Sequence, residues 1–256
     1  MTQPNFPAEH STRRNMLQMS AIGAGAALFG VTASDSAKAS TQTDTSQAAF
    51  VYTEVQLSVP FDQAPWKRIS DQILKQPGFI NKTWLSGTPN NSVGGFYAFD
   101  TVANAQKFVT GYFPSEVREF SVGHTTRIFN ANVVRDASID IGSPDFGIKA
   151  VAKPGAFVYT EVQLIMPFED MPWGERNSAL KSQKGLTSKT WLSGWNTQTI
   201  GGFDAFDTIE NATEFAVNAF PETAKKLNAA FYTRVFDANA TEEASKYLNS
   251  PYYAAT

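Results

Sequence analysis

The chain has no cysteine, which excludes disulfides, thiolate nucleophiles and cysteine-bound metals in any compartment. Histidine is nearly as scarce: His10 and His124 are the two in 256 residues, too few for a histidine-rich metal site. An excess of either charge is also missing, since 21 basic and 24 acidic residues leave −3, and no basic field for nucleic acid results. GxGxxG, GxxxxGK[ST] and GxSxG motifs are absent, as is any glycosidase-like pairing of carboxylates. What is present is ordinary for a globular protein: 42% apolar and 13% aromatic residues, enough for a sizeable core held by packing alone.

The first 39 residues read as targeting. Arg13-Arg14 precedes a modestly apolar stretch, Met16 to Val31, and Ala37-Lys38-Ala39 supplies a small-residue cleavage site, the order expected of a twin-arginine signal peptide. The apolar stretch is too short and too rich in Gly, Gln and Ser for a permanent anchor. Cleavage near Ser40 removes three basic and two acidic residues from the total of −3 and leaves −4. The mature product is expected to be periplasmic or secreted, free of membrane, with the twin-arginine translocase as its partner during export. Residues 40–49 are expected to be a flexible leader of small and polar residues.

Self-similarity then sets the architecture. FVYTEVQL begins at Phe50 and again at Phe157, and the offset of 107 holds without a gap through KTWLSG (82–87 and 189–194), GGF (94–96 and 201–203) and AFDT (98–101 and 205–208). Of the 89 positions from Phe50 to Ser138, 39 are identical in the second copy, which is duplication. The copies are read as 50–138 and 157–248, with 139–156, containing GSPDFG and KPG, as a linker and 249–256 as a tail.

Within the first copy, alternation over Val51 to Ser58 predicts a strand, and Trp66, Ile69 and Ile73 at helical spacing predict a helix over Phe61 to Gln76. Ile80 to Leu85 and Gly95 to Phe99 are the next strands. Asp100-Thr101 caps a second helix that Pro114 should interrupt, and Thr125 to Asn132 is a fourth strand. The order βαββαβ defines an α+β, ferredoxin-like unit with both helices on one sheet face. A second copy covers the other face if the tandem sheets pack against each other as an intramolecular dimeric α/β barrel.

The stretches PGFINKTWLSG, GGFYAFDTVANA and RIFNAN, repeated as KGLTSKTWLSG, GGFDAFDTIENA and RVFDAN, resemble the YdhR monooxygenase family of the dimeric α/β-barrel superfamily, which also holds antibiotic-biosynthesis monooxygenases. The resemblance covers both copies. It implies a barrel whose sheets enclose an apolar pocket, and relatives that oxidise anthrone-like or quinol-like compounds without a cofactor. The chain departs from the single-domain cytoplasmic forms of that family in its tandem fusion and export signal, so a cellular role does not transfer.

Sorting strands by period 2 gathers one mixed polar and aromatic face per copy, assigned to the cavity side. In the first copy it carries Tyr52, Glu54, Gln56, Lys82, Trp84, Arg127 and Phe129; in the second, Tyr159, Glu161, Gln163, Lys189, Trp191, Arg234 and Phe236. Such a face suits a small apolar or aromatic ligand. Glu54, Lys82 and Arg127, with Glu161, Lys189 and Arg234, are the candidate catalytic groups: Glu or Lys to remove a phenolic proton, Arg to stabilise the oxyanion. Tyr52, Gln56, Trp84, Phe129, Tyr159, Gln163, Trp191 and Phe236 are the candidate substrate contacts. The same residues equally fit a structural salt bridge, Glu54 with Lys82 or Arg127, amid ordinary aromatic core. The expected activity is a cofactor-independent monooxygenase for small aromatic or quinol-like compounds, with no metal. The alternative is a non-catalytic small-molecule or haem binder through His124, although the GxxDG motif of exported haem-binding relatives is absent. The copies differ at Tyr97 against Asp204 and at His124 against Phe231, which could mark one copy as having lost its site.

Overall fold

The computed structural model describes residues 44–57, 59–164 and 166–253. The twin-arginine segment, its cleavage site and residues 40–43 lie outside the described residues. The first copy consists of β1 (Ala49–Val55), α1 (Trp66–Ile73), β2 (Phe79–Ser86), β3 (Val93–Phe99), α2 (Val102–Lys107), α3 (Phe113–Arg118), β4 (His124–Asn130) and a trailing α4 (Arg135–Asp140). The second repeats it as β5 (Ala156–Gln163), α5 (Trp173–Leu180), β6 (Leu186–Ser193), β7 (Thr199–Phe206), α6 (Ile209–Glu214), α7 (Phe220–Lys226), β8 (Phe231–Asp237) and α8 (Glu242–Tyr247). Both sheets are antiparallel, in the orders β2-β3-β1-β4 and β6-β7-β5-β8, which is the ferredoxin-like topology.

Prolines set the helix boundaries. The helix predicted from Phe61 starts only at Trp66, because Pro65 precedes it and Phe61–Gln63 forms a separate 3-10 turn. Thr101 caps α2 as read, its hydroxyl accepting from Asn104 N–H at 3.2 Å. Pro114 does not end the second helix. The turn before it, Phe108–Tyr112, widens to π geometry, which accommodates a residue that has no N–H and whose ring would meet the carbonyl four residues back. The second copy does the same at Phe215–Ala219.

Each sheet is buried on both faces. Val51, Val55, Tyr97 and Phe99 of the first sheet pack beneath the helices with Phe108 and Phe113. The opposite face, Phe50, Tyr52, Phe96 and Phe129, meets Phe157, Tyr159, Phe203 and Phe236 of the second. Sheet therefore closes on sheet, and the edges are joined: Thr88 N–H donates to Val235 O at 3.0 Å and Trp195 N–H to Ile128 O at 2.8 Å.

The segments after β4 and β8 cross over to the other copy. Ser138 Oγ accepts from Trp191 N–H at 2.9 Å, and Ser143 Oγ lies 2.6 Å from Thr190 Oγ1. Ser245 Oγ accepts from Trp84 N–H at 2.9 Å, and Ser250 Oγ lies 2.7 Å from Thr83 Oγ1. The stretch read as a linker and the one read as a tail thus begin as two equivalent arms, each covering the outer strand of the opposite copy. Asp44 to Ala48, from the leader read as flexible, also lie on the fold: Val102 N–H donates to Gln47 O at 2.7 Å and Ala131 N–H to Ala48 O at 3.0 Å. Among the described residues no helix is long and apolar enough to cross a membrane.

Candidate functional site

The strand 1 and strand 4 candidates face the sheet–sheet layer as the alternation predicted, yet that layer is filled. Tyr52 and Tyr159 stack with ring centroids 3.9 Å apart, Phe96 and Phe203 at 4.4 Å, and Phe129 and Phe236 are buried beside them. The large shared pocket implied by the family resemblance is replaced by an aromatic core. Its charges pair across the copies rather than within one. Glu54, 1% exposed, accepts from Arg234 Nε at 2.9 Å and also from Arg234 Nη2, while Tyr52 and Tyr232 hydroxyls donate to its other oxygen at 2.8 and 3.0 Å. Burial pushes this carboxyl up, but hydrogen bonds from Ser92, Arg234 and Tyr52 outweigh it and hold the group below the usual range. Glu161 accepts from Tyr159 Oη at 2.6 Å and from Arg127 Nε at 3.3 Å, a looser arrangement nearer the surface. Gln56 and Gln163 sit at the exposed strand ends.

Lys82 and Trp84, with Lys189 and Trp191, are on the other face, which corrects their assignment to the shared interior. Pairing fixes this: Lys82 lies opposite Tyr97, itself opposite Val51, on the helix side, whereas Thr83, Phe96 and Tyr52 share the interface side. A bulge between Phe79 and Asn81 sets the parity, and one between Leu186 and Ser188 repeats it.

Beneath the helices each copy has a small cavity. That of the first copy, about 40 Å3, is lined by Lys82, Trp84, Tyr97, Tyr112 and Glu116 among apolar side chains. Lys82 is 1% exposed, with Nζ 2.8 Å from the Trp84 ring centroid and 4.7 Å from that of Tyr97. No ion pair reaches it among the described residues, and burial drives its amine well below the ordinary lysine range, with Glu116 pulling weakly the other way. The paired glycines make room: a Cβ at Gly95 would overlap Lys82 Cε and the Tyr97 ring, and one at Gly94 would strike the Thr53 carbonyl. Trp84 is fixed by donating Nε1–H to Ser70 Oγ at 3.2 Å. Glu116 accepts from Arg68 at 3.1 Å and from Tyr112 Oη at 3.0 Å.

The second cavity, about 70 Å3, differs in charge. Lys189 Nζ lies 2.7 Å from Asp204 Oδ1, in the position of Tyr97, and Arg176 and Thr223 stand where Ile69 and Glu116 stand in the first. Burial raises the Asp204 carboxyl and Lys189 opposes that; Asp204 Oδ2 is buried with no hydrogen-bond partner among the described residues. A third cavity, about 240 Å3, opens at the rim of the sheet–sheet layer beside Thr125, Arg127 and Glu161. His124 is exposed, packs edge-on against Phe113, and lines none of the three.

Reading the sequence missed Glu116, Tyr112 and Tyr232. The first two lie on the helix that follows the matched motifs. Tyr232 carried a signal, since it faces Thr125 in the alignment of the copies.

These features define a class: a duplicated ferredoxin-like α+β barrel with a lysine–tryptophan cavity under the helices of each copy. Residues 51–138, most of the first copy, match the family described as Putative mono-oxygenase ydhR. No curated protein matches it. Similar solved structures include a putative monooxygenase from Lactobacillus acidophilus NCFM, 8% identical over 74% of this chain and 93% of that one, with a TM-score of 0.43. An anthrone oxidase-like protein is 11% identical over 75% and 91%, with a TM-score of 0.48. A chlorite dismutase variant from Candidatus Nitrospira defluvii is 9% identical over 78% and 96%, with a TM-score of 0.45.

Proposed function

We propose that the protein is an exported, cofactor-independent monooxygenase that oxidises a small phenolic or quinol-like compound with dioxygen in the helix-side cavity of its first copy. The observation that carries this reading is Lys82: a buried amine with no ion-pair partner among the described residues, on an aromatic wall, in a copy whose residues 51–138 match a mono-oxygenase family. Burial drives this amine well below the ordinary lysine range, which favours its unprotonated form and suits it to act as a base. Its Nζ takes the phenolic proton, and the electron-rich phenolate gives one electron to dioxygen. The resulting radical and superoxide combine at a ring carbon as a peroxide anion, which the Lys82 ammonium protonates to the hydroperoxide. Lys82 then takes the hydrogen of that ring carbon as a proton while the O–O bond breaks, and the departing hydroxide receives that proton and leaves as water, so the quinone keeps one oxygen atom of dioxygen and water carries the other. The apolar walls exclude bulk water from the intermediate. At about 40 Å3 the cavity holds only a few water-sized molecules, so a ring enters by outward rotation of the partly exposed lining residues Leu57, Ile69 and Phe120. In the second copy Lys189 is tied to Asp204 and does not serve as a base.

The test is oxygen uptake and quinone formation by purified protein with a series of one- to three-ring phenols and hydroquinones. The expected result is one quinone per dioxygen, a rate at least 100-fold lower in Lys82→Met, and a near-normal rate in Lys189→Met. Equal rates in the wild type and Lys82→Met overturn the assignment, and tight binding without product makes the protein a carrier. For export, Arg13→Lys with Arg14→Lys is expected to retain the chain in the cytoplasm, read by cell fractionation.

A further inference from the structure

The two sides of the sheet–sheet layer are related by the duplication, and a cavity of about 240 Å3 opens on the side of Thr125, Arg127 and Glu161. One pair of equivalent positions, 125 and 232, differs there in a way that bears on what the cavity holds. On the closed side Tyr232 reaches across from β8, packs edge-on against Tyr159 with centroids 6.1 Å apart, and donates its phenol hydroxyl to Glu54 Oε2 at 3.0 Å. On the open side the equivalent residue is Thr125, and the carboxylate it faces across the layer is Glu161. A ring at position 125 would fall against Tyr52, beside Arg127, Glu161 and Gln163, which line the cavity together with Tyr159 and with Ala230, Phe231 and Tyr232 of the neighbouring strand end. The protein thus shows, at one of two matched sites, what the other is shaped to hold.

We propose that the cleft beside Thr125 is a second small-molecule site that takes a single-ring phenol in the pose of the Tyr232 side chain. The ligand's hydroxyl donates to Glu161, and its ring lies edge-on to Tyr52. The carboxylate is ready for that donor. Glu161 already accepts from Tyr159 at 2.6 Å, but Arg127 holds it only at 3.3 and 3.5 Å, whereas Arg234 binds Glu54 at 2.9 Å and closer. A 150 Å3 apolar cavity is enough to admit a benzene ring, so about 240 Å3 accommodates a monocyclic phenol. The partly exposed rim, with the Arg127 side chain 46% exposed, gives the ligand access from solvent. This site lies on the opposite face of the sheet from Lys82 and does not depend on the catalytic reading.

The probe is p-cresol, the tyrosine side chain as a free molecule, titrated by calorimetry and ligand-observed NMR into the full chain carrying Lys82→Met, which separates this site from the helix-side cavity. One equivalent is expected to bind, with toluene at least 10-fold weaker. Thr125→Tyr, which copies the second repeat, is expected to abolish binding, and Glu161→Gln to weaken it at least 10-fold. Tyr232→Thr is expected to raise the stoichiometry to two by opening the cleft beside Glu54. Binding of p-cresol that survives both Thr125→Tyr and Glu161→Gln, toluene binding as tightly as p-cresol, or no p-cresol binding at all overturns the proposal.

Discussion

Lys82 and Lys189 occupy equivalent positions and illustrate two ways of burying a lysine. Lys189 keeps a carboxylate at 2.7 Å, whereas Lys82 lies on aromatic faces and burial drives its amine well below the ordinary lysine range. Because the folded-state value lies below the ordinary 10.5, the folded protein binds fewer protons than the unfolded chain, and stability rises as pH climbs toward 10.5. Lys82→Met removes this slope. It is expected to stabilise the protein by ~1–3 kcal/mol at pH 7, with the gap closing as the pH nears 10, measured by urea unfolding across that range. The carboxylates give the converse contrast. Glu54→Gln breaks a pair whose side chains are 1% and 21% exposed and should cost about 3 kcal/mol, while Glu161→Gln, beside a half-exposed Arg127, should cost under ~1 kcal/mol. Equal shifts in unfolding midpoint would contradict this ranking.

At the scale of elements, the outer strands β2 and β6 each have their free backbone groups covered by the other copy's arm. Lys82 N–H donates to Leu248 O at 3.1 Å and Trp84 N–H to Ser245 Oγ, as Trp191 N–H does to Ser138 Oγ. Ser245→Ala leaves the buried Trp84 N–H without its acceptor and should lower stability by ~1–3 kcal/mol in chemical denaturation, with Ser138→Ala matching it. The strand and helix order was legible because alternation, Thr101 capping and the repeat offset are local patterns. Two things were not. The face of β2 was misread because alternation fixes parity within a strand but not between strands: the Ile80 bulge shifts the register, and with both faces buried there is no solvent side to betray the parity. Lys82 looked polar and was grouped with Glu54, while its partner is the Trp84 ring. The arms were read as linker and tail because Gly and Pro mark breaks in an element, not what the chain docks against afterwards.

For the whole molecule, the duplication places the two halves of a dimer interface in one chain, and the two arms meet where Asp145 and Tyr252, equivalent positions 107 apart, contact each other. Asp145 Oδ2 accepts from Tyr252 Oη and Thr190 Oγ1, each at 2.7 Å, while Oδ1 is buried with no hydrogen-bond partner among the described residues. Burial outweighs those two hydrogen bonds and raises the carboxyl from 3.8 to about 6. The folded state therefore holds this proton more tightly than the unfolded chain does. Its contribution to stability is full below about pH 4 and is lost as pH rises through about 6, by up to ~3 kcal/mol for a shift of this size. Asp145→Asn keeps an acceptor for Tyr252 but cannot ionise. Its unfolding free energy, followed from pH 4 to 7 against wild type, should lack that decline. A wild type whose stability does not fall over this window relative to Asp145→Asn would mean that the contact between the arms bears no buried charge at neutral pH.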